Sequence, residues 1–209
     1  MRYGLKAVAV TVLSAVTWPA WMVARIDYRY FGSERAFDFF AKLLSLVPGR
    51  TGQYLRTSFY MHTLARCHYD LLVGFGSFFA HPTAEVGRHV SIGSFSIVGT
   101  AVLGDDVLIA SRVSILSGKY QHGGGGVAPS SRHARYECVH VGSECWIGEG
   151  AVIMAHVGAG SIVSAGSVVT RAVPERSTAV GNPARCARYE EKPTVQVLSK
   201  KTGLLGAGG

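Results

Sequence analysis

The chain has 209 residues, which allows one ordinary domain with a short extension and argues against two large domains. Hydrophobic residues make up 48% of the chain and charged residues only 16%, which excludes an intrinsically disordered protein. The net charge of +8 is concentrated at the ends, with nine Lys or Arg against four acids in residues 1–70 and six against three in residues 174–209. The four cysteines form no CxxC pair, which argues against a structural zinc site and a disulfide-rich scaffold.

The first organised feature is an uncharged stretch of 18 residues, positions 7–24, between Lys6 and Arg25. Its length reaches the lower limit for a membrane-spanning helix, about 17–25 residues, but Thr, Ser and Pro residues dilute its hydrophobicity. A signal peptide is the competing interpretation, although residues 22–24 make a poor small-residue cleavage site. We expect residues 1–70 to form an apolar, helical extension that associates with a membrane, either spanning it or lying on it.

Two amphipathic helices are predicted in the rest of this extension. Helical spacing connects Phe37, Phe40, Ala41 and Leu44, and then Leu55, Phe59 and His62. Polar faces carrying Arg35, Lys42, Arg56 and Arg66 suit an anionic bilayer surface, with Trp18 and Trp21 at the headgroup level. The alternative is that the apolar faces simply cover the end or side of the main domain.

From residue 86 an aliphatic residue recurs every six positions in two blocks, each with one shorter spacing, five from Val98 to Leu103 and four from Ile153 to Val157. These anchors are Val86, Ile92, Val98, Leu103, Ile109 and Ile115, then Val141, Ile147, Ile153, Val157, Val163 and Val169. A period of six matches neither an α-helix nor the alternation of an ordinary strand. If each hexapeptide forms one short strand and a corner, three of them make a triangular coil whose anchors stack into an aliphatic column. The pattern therefore predicts a parallel β-helix over residues 71–190, followed by a flexible tail at 191–209.

These repeats resemble the left-handed β-helix hexapeptide-repeat acyltransferases, an exception to right-handed crossovers. The most specific segments run from Trp146 to Arg171 and from Gly181 to Arg185, and the second resembles maltose, galactoside and serine acetyltransferases. The apolar extension and the run from Ser114 to Ser117 resemble polysaccharide-biosynthesis O-acetyltransferases. The resemblance implies an all-β core wound as a left-handed parallel β-helix, acetyl-CoA as co-substrate, a sugar or lipid-linked saccharide as acceptor, and a homotrimer.

Residues 117–138 break the period and include four consecutive glycines, Gly123 to Gly126. An excursion from a rigid scaffold is a common place for a binding site. Acetyl transfer to a hydroxyl needs a base with a near-neutral pKa, and the resemblance implies that His122 in this excursion is that base, with His133 as the second candidate. Since no Gly-x-Ser-x-Gly elbow is present, direct transfer is preferred to a covalent acyl-enzyme.

The resemblance also implies a set of cofactor contacts. Trp146 would lie against the pantetheine arm, and Ala165 and Thr170 would contribute backbone contacts. The phosphates would be bound by Arg171, Arg185 and Arg188, since guanidinium groups bind phosphate bidentately.

Three alternatives remain open at this stage. One is a serine or other small-molecule acetyltransferase of the same fold, and another is a non-catalytic β-helix scaffold. The third is a metalloenzyme of the γ-carbonic anhydrase type, which needs three His around zinc, a spacing not found here. For the favoured acetyltransferase we expect no resident metal, no nucleic-acid partner, and a location at the cytoplasmic face of the cytoplasmic membrane.

Overall fold

The computed structural model describes the backbone of residues 2–117 and 138–188, and the side chains of Lys6 and of residues 8–117 and 138–188. Three helices open the chain: α1 (Arg2–Phe31), α2 (Arg35–Ser45) and α3 (Gly49–Thr63). The two helices predicted from periodicity are confirmed as α2 and α3, and the uncharged stretch forms most of α1.

Short strands fill the rest of the described chain. In chain order they are β1 (Leu72–Val73), β2 (Phe78–Phe79), β3 (Glu85–Val86), β4 (Ser91–Ile92), β5 (Ile97–Val98), β6 (Ala101–Leu103), β7 (Leu108–Ile109), β8 (Ser114–Ile115), β9 (Val139–Val141), β10 (Trp146–Ile147), β11 (Val152–Ile153), β12 (Ile162–Val163), β13 (Val168–Val169), β14 (Ser177–Val180) and β15 (Arg185–Arg188).

The strands form three sheets, which we call faces. Face 1 contains β1, β4, β7, β10, β12, β14 and β15; face 2 contains β2, β5, β8, β11 and β13; face 3 contains β3, β6 and β9. Every pairing is parallel except that between β14 and β15, which is antiparallel. Because the chain visits the three faces in turn and each strand pairs with one a coil away, the domain is a parallel β-helix.

The anchors of the repeat form the core of this coil. None of the twelve predicted anchors is more than 3% exposed, which confirms the six-residue period. On face 1 they align directly, since Ile109 is the Cα partner of both Ile92 and Ile147. The column also begins one coil earlier than the prediction, with Val73 and Phe79 fully buried. The first coil lies within the domain predicted at 71–190, but the spacing of seven between Phe79 and Val86 hid these two anchors.

The excursion leaves the coil at one defined corner. Strand β8 lies on face 2 and β9 on face 3, so the described chain stops after Ser117 and resumes at Cys138 between these two faces. Ser117 still belongs to the coil, because it is buried and its Oγ accepts a hydrogen bond from the backbone N–H of Thr100 at 2.9 Å. His122 and His133 lie in the part of the chain outside the described residues.

Helix α3 covers the N-terminal end of the coil. Phe59 and Tyr60 are fully buried, and Tyr60 Oη accepts a hydrogen bond from the backbone N–H of Phe79. Thr57 Oγ1 donates to the carbonyl oxygen of Leu71 at 2.8 Å. These contacts favour the interpretation in which the helical extension closes the end of the main domain.

The prediction that Arg56 lies on a solvated polar face is wrong. Arg56 is 1% exposed, and its guanidinium donates to the carbonyl oxygens of Val73, Leu44, Ser45 and Val47. The last helical carbonyls of α2 lack intrahelical partners, so a charged donor there stabilises a buried helix end.

Two other residues of the extension also differ from the prediction. Trp21 is only partly exposed, and its ring stacks on that of His62 with centroids 4.6 Å apart, whereas we expected it at a lipid headgroup. Arg66 follows the end of α3 and pairs with Glu85, so it belongs to the coil surface and not to the polar face of a helix.

Candidate functional site

Trp146 projects from the outer surface of face 1. It is the first residue of β10, with 49% of its surface exposed, while the next residue, Ile147, points into the core. Its Cα partners in the neighbouring coils are Leu108 and Ile162. A large ring on the outside of a rigid coil is available to a ligand, as the predicted role requires.

Ala165 lies at the corner between faces 1 and 2, against Gly148 of the preceding coil. A Cβ built on Gly148 would lie 2.5 Å from the backbone nitrogen of Ala165, so only glycine fits this close stacking of coils. Among the described residues, the backbone N–H of Ala165 has no hydrogen-bond acceptor. This N–H is therefore free to donate to a bound molecule.

Thr170 follows β13, the last strand of face 2. In earlier coils the residue at this position donates its N–H to the next coil, as Met154 does to Val169. No later coil covers Thr170, and within the described chain its N–H has no acceptor. The predicted backbone contacts of Ala165 and Thr170 thus coincide with two unpaired donors.

The three predicted phosphate ligands are exposed guanidinium groups. Arg185 and Arg188 lie at the two ends of β15, the terminal strand of face 1, and Arg171 follows Thr170 at the corner after face 2. None of the three forms an ion pair within the described residues. Unpaired exposed arginines remain available for phosphate.

Within one chain, the predicted cofactor-binding residues lie on two different surfaces. Trp146 and β15 share face 1, where Trp146, Ile162, Thr178 and Ala187 are successive Cα partners. At about 4.8 Å per strand, this row is roughly 14 Å long. Thr170 and Arg171 lie beyond face 2, and Ala165 lies between the two surfaces.

A pair of histidines on face 3 emerges only from the structure. The rings of His140 and His156 are 5.1 Å apart, and the backbone N–H of His140 donates to His156 Nδ1 at 3.0 Å. The two histidines are sixteen residues apart in sequence, as are the bridged residues Val141 and Val157. This equal separation is the sequence signal that could have revealed the contact. Within the described residues, no group of three or more His, Cys, Asp or Glu side chains could hold a metal ion.

Comparison with known proteins shows similarity between this coil and acetyltransferases. No family model matches the chain. By sequence, 120 residues, 55% of the chain, are 42% identical to serine acetyltransferase 5 of Arabidopsis thaliana. The chain is therefore similar in sequence to part of a serine acetyltransferase. The chain spans 35% of the length of that relative.

Solved structures share the fold of this chain. A maltose O-acetyltransferase from Clostridium difficile 630 matches 76% of this chain and 87% of its own, with a TM-score of 0.65 and 23% identity. A hexapeptide-repeat acetyltransferase from Vibrio cholerae complexed with acetyl coenzyme A matches 74% of this chain and 87% of its own, with a TM-score of 0.58 and 21% identity. At these identities the likeness concerns the fold.

Proposed function

We propose that this chain is an acetyl-CoA-dependent O-acetyltransferase, wound as a left-handed β-helix, that acetylates a saccharide hydroxyl with His122 as general base. The observation that carries the proposal is the interruption of a regular coil between β8 and β9 by the segment containing His122. The outward Trp146 follows on the next strand, β10.

Acetyl-CoA as donor is supported by the chemistry of the described residues. An exposed ring at Trp146 suits the apolar pantetheine arm, and the free N–H groups of Ala165 and Thr170 suit its amide carbonyls. The unpaired Arg171, Arg185 and Arg188 suit the phosphates. The Vibrio cholerae neighbour, which shares the fold, is complexed with acetyl coenzyme A.

In this mechanism the acceptor hydroxyl attacks the thioester carbonyl while the imidazole of His122 takes its proton. The carbon–sulfur bond then breaks, and the imidazolium returns the proton to the leaving thiolate of coenzyme A. The products are an O-acetyl ester and free coenzyme A, and His122 is regenerated. General-base assistance of this kind contributes about 10²–10⁴-fold to rate.

We also propose a homotrimer in which the site forms between two coils. The predicted cofactor residues lie on face 1 and beyond face 2 of one chain, so a ligand that contacts both sets is bound most simply at a seam between two copies. Flat faces of a rigid coil suit closed, cyclic assembly.

A saccharide acceptor is favoured by the maltose O-acetyltransferase, whose fold matches across 87% of that chain. Serine is the second candidate acceptor, because a serine acetyltransferase is 42% identical over 120 residues. Both acceptors present a hydroxyl group, so the same base and donor serve either reaction.

The test measures coenzyme A release by chromatography, because the protein's own cysteines would react with a thiol dye. Purified full-length protein is incubated with acetyl-CoA and either mono- and oligosaccharides, lipid-linked saccharides, serine or no acceptor. We expect release with a saccharide and a loss of about 10²–10⁴-fold in the His122→Ala variant. The matched control is His133→Ala, which should retain activity.

The outcomes separate the competing hypotheses. A response to serine alone would replace the saccharide by the second candidate. Full activity of His122→Ala would remove the base from this position, and loss only in His133→Ala would transfer the role there. Failure to bind coenzyme A at all would favour a non-catalytic scaffold.

A further inference from the structure

Helix α1 carries apolar side chains on the surface that faces away from the protein. Val8, Val12, Val16, Val23 and Ile26 are between 43% and 64% exposed. At about 100° per residue these positions fall within an arc of roughly 80°. Trp18 and Met22 widen the same exposed surface, which we call the outer face of α1.

The opposite surface of α1 faces the protein and makes its polar contacts. Val10, Thr17 and Ala24 are buried there. The hydroxyls of Ser14 and Thr17 lie 3.0 and 2.7 Å from Ser58 Oγ on α3. Nearer the N-terminus, Lys6 Nζ donates to the carbonyl oxygen of Asp70 at 2.7 Å.

This distribution is the reverse of that in a helix whose outer surface faces water. The hydroxyls of Ser14 and Thr17 and the ammonium of Lys6 are directed inward, and a mostly apolar surface is directed outward. A contiguous exposed apolar surface of this kind marks a contact with another molecule or a membrane. The stretch Val8–Phe31 is also long and apolar enough, by length and composition, to cross a membrane.

We infer that α1 lies in the plane of an anionic lipid bilayer, with its outer face inserted among the acyl chains. The charge of the region favours lipid over a second copy of the chain, because residues 1–70 carry nine Lys or Arg and four acids. Arg25 and Arg29 lie beside this face, are exposed, and have no ion-pair partner within the described residues. They are placed to contact lipid phosphates, and a second copy with the same charges would be repelled.

The contacts of α1 also decide between lying on the bilayer and crossing it. From Lys6 to Trp21 the helix is held against α3 and the first coil, by the Lys6, Ser14 and Thr17 hydrogen bonds and the stack on His62. A spanning orientation would break these contacts or draw the buried Arg56 of α3 into hydrocarbon, which is costly. Lying in the interface keeps every one of them.

The first experiment measures partition of the full-length protein onto vesicles by sedimentation. We expect strong binding to phosphatidylcholine vesicles containing phosphatidylglycerol and weak binding to pure phosphatidylcholine. Combined Val8→Ser, Val12→Ser and Val16→Ser substitutions should weaken partition about tenfold or more, since they remove inserted apolar surface. Substitution is preferable to deletion of α1, because deletion would also uncover Ser58 and its neighbours.

Matched arginine substitutions separate the contribution of charge to vesicle binding from that of the apolar side chains. Arg25→Gln with Arg29→Gln should weaken binding to the anionic vesicles about tenfold. Arg88→Gln with Arg176→Gln, two exposed arginines of the coil, makes the same change in net charge and should leave partition unchanged. If the two double variants weakened vesicle partition equally, only the net charge of the protein would matter. That result would overturn the specific role of α1.

The second experiment uses the fluorescence of Trp18 to measure how deeply α1 enters the bilayer. Trp18 lies near the middle of the apolar stretch. Its fluorescence should be quenched by lipids brominated near the headgroup, because an interfacial helix inserts only about 5–10 Å. A Trp18→Phe variant identifies its share of the signal. Quenching mainly by lipids brominated at the chain end would mean a spanning helix and overturn the proposal. The proposal would also be overturned if the triple Val→Ser variant partitioned onto vesicles as the parent protein does, or if the substitutions changed its oligomeric state and not its partition.

Discussion

Arg56 Nε donates a hydrogen bond to the carbonyl oxygen of Val73 at 3.0 Å, and this contact joins helix α3 to the first strand of the coil. The same guanidinium bonds the end of α2 through the carbonyl of Leu44 at 2.9 Å. One buried side chain therefore connects two helices and the β-helix.

Replacing Arg56 by Met should lower the free energy of unfolding by about 2–4 kcal/mol, because the buried carbonyls lose their charged donor. Urea denaturation monitored by circular dichroism provides the measurement. Arg50→Met on the exposed surface of the same helix is the control, and we expect a change within about 0.5 kcal/mol. Similar losses in both variants would mean that the hydrogen bonds of Arg56 do not stabilise the fold.

Gly148→Ala should disturb both stability and cofactor binding. The added Cβ would lie 2.5 Å from the nitrogen of Ala165, and backbone must move to relieve the contact. We expect a loss of about 1–3 kcal/mol in unfolding free energy and a higher KM for acetyl-CoA, because Ala165 is displaced.

The control for this prediction is Gly150→Asn, two residues further along the same corner. A Cβ at Gly150 meets no atom within 4 Å, and although its φ is +69°, Arg112 adopts φ 58° at the stacked position of the preceding coil. Asn tolerates this conformation, so the change should be small. An unchanged KM in Gly148→Ala would remove Ala165 from the cofactor site.

The coil could be predicted from sequence because each anchor is buried for a local, periodic reason. Twelve positions share a period of six, and each, from Val86 to Val169, points into the same column. The anchors of the first coil were missed, although the predicted domain begins at residue 71, since the spacing from Phe79 to the next anchor is seven and Phe79 is aromatic. The excursion was predicted as a break in the period, but the partners of His122 cannot be derived from a period that is absent there.

Helical periodicity was less informative about which surface of a helix faces the protein. Arg56 satisfies the spacing of a polar face, yet four carbonyl oxygens surround it in the interior. Helix α1 has apolar residues on both surfaces, so its orientation depends on the partners of Ser14 and Thr17 on α3. Those partners are 44 and 41 residues away in sequence, and no local pattern specifies them.

Stability should fall as the medium is acidified, with His62 as one cause. Burial, and secondly the positive charge of Arg25, lower the pKa of His62 below its ordinary value. The proton therefore binds the unfolded chain more readily, so the contribution of His62 is complete above about pH 6.5 and is lost as pH falls toward the lowered pKa.

The measurement is the unfolding free energy as a function of pH, between about pH 5 and 7.5, the range in which histidine titrates. His62→Phe, which keeps a ring against Trp21, should make this dependence flatter. Arg25→Gln should flatten it less, since charge is the smaller cause. An identical pH dependence in His62→Phe and the parent protein would contradict the assignment.

The cysteine of the terminal strand β15 should be alkylated faster than the cysteines of the protein interior. Burial, and secondly the charge of Asp70, raise the pKa of Cys67 to about 12, and burial also raises the pKa of Cys145. Cys186 is exposed on β15, directly after Arg185. Since the thiolate is the reactive species, iodoacetamide at about pH 8 should modify Cys186 first, and Cys67 and Cys145 only after unfolding.

The same reaction tests the proposed phosphate contacts, because a bound nucleotide at Arg185 and Arg188 would cover Cys186. Saturating desulfo-coenzyme A should slow alkylation of Cys186, measured by mass spectrometry of the peptide, while Cys67 stays unmodified in the folded protein with or without the analogue. Replacing both arginines by Gln should abolish the protection while Cys186 remains reactive. Full reactivity of Cys186 in protein shown by calorimetry to be saturated with the analogue would place the phosphates away from β15.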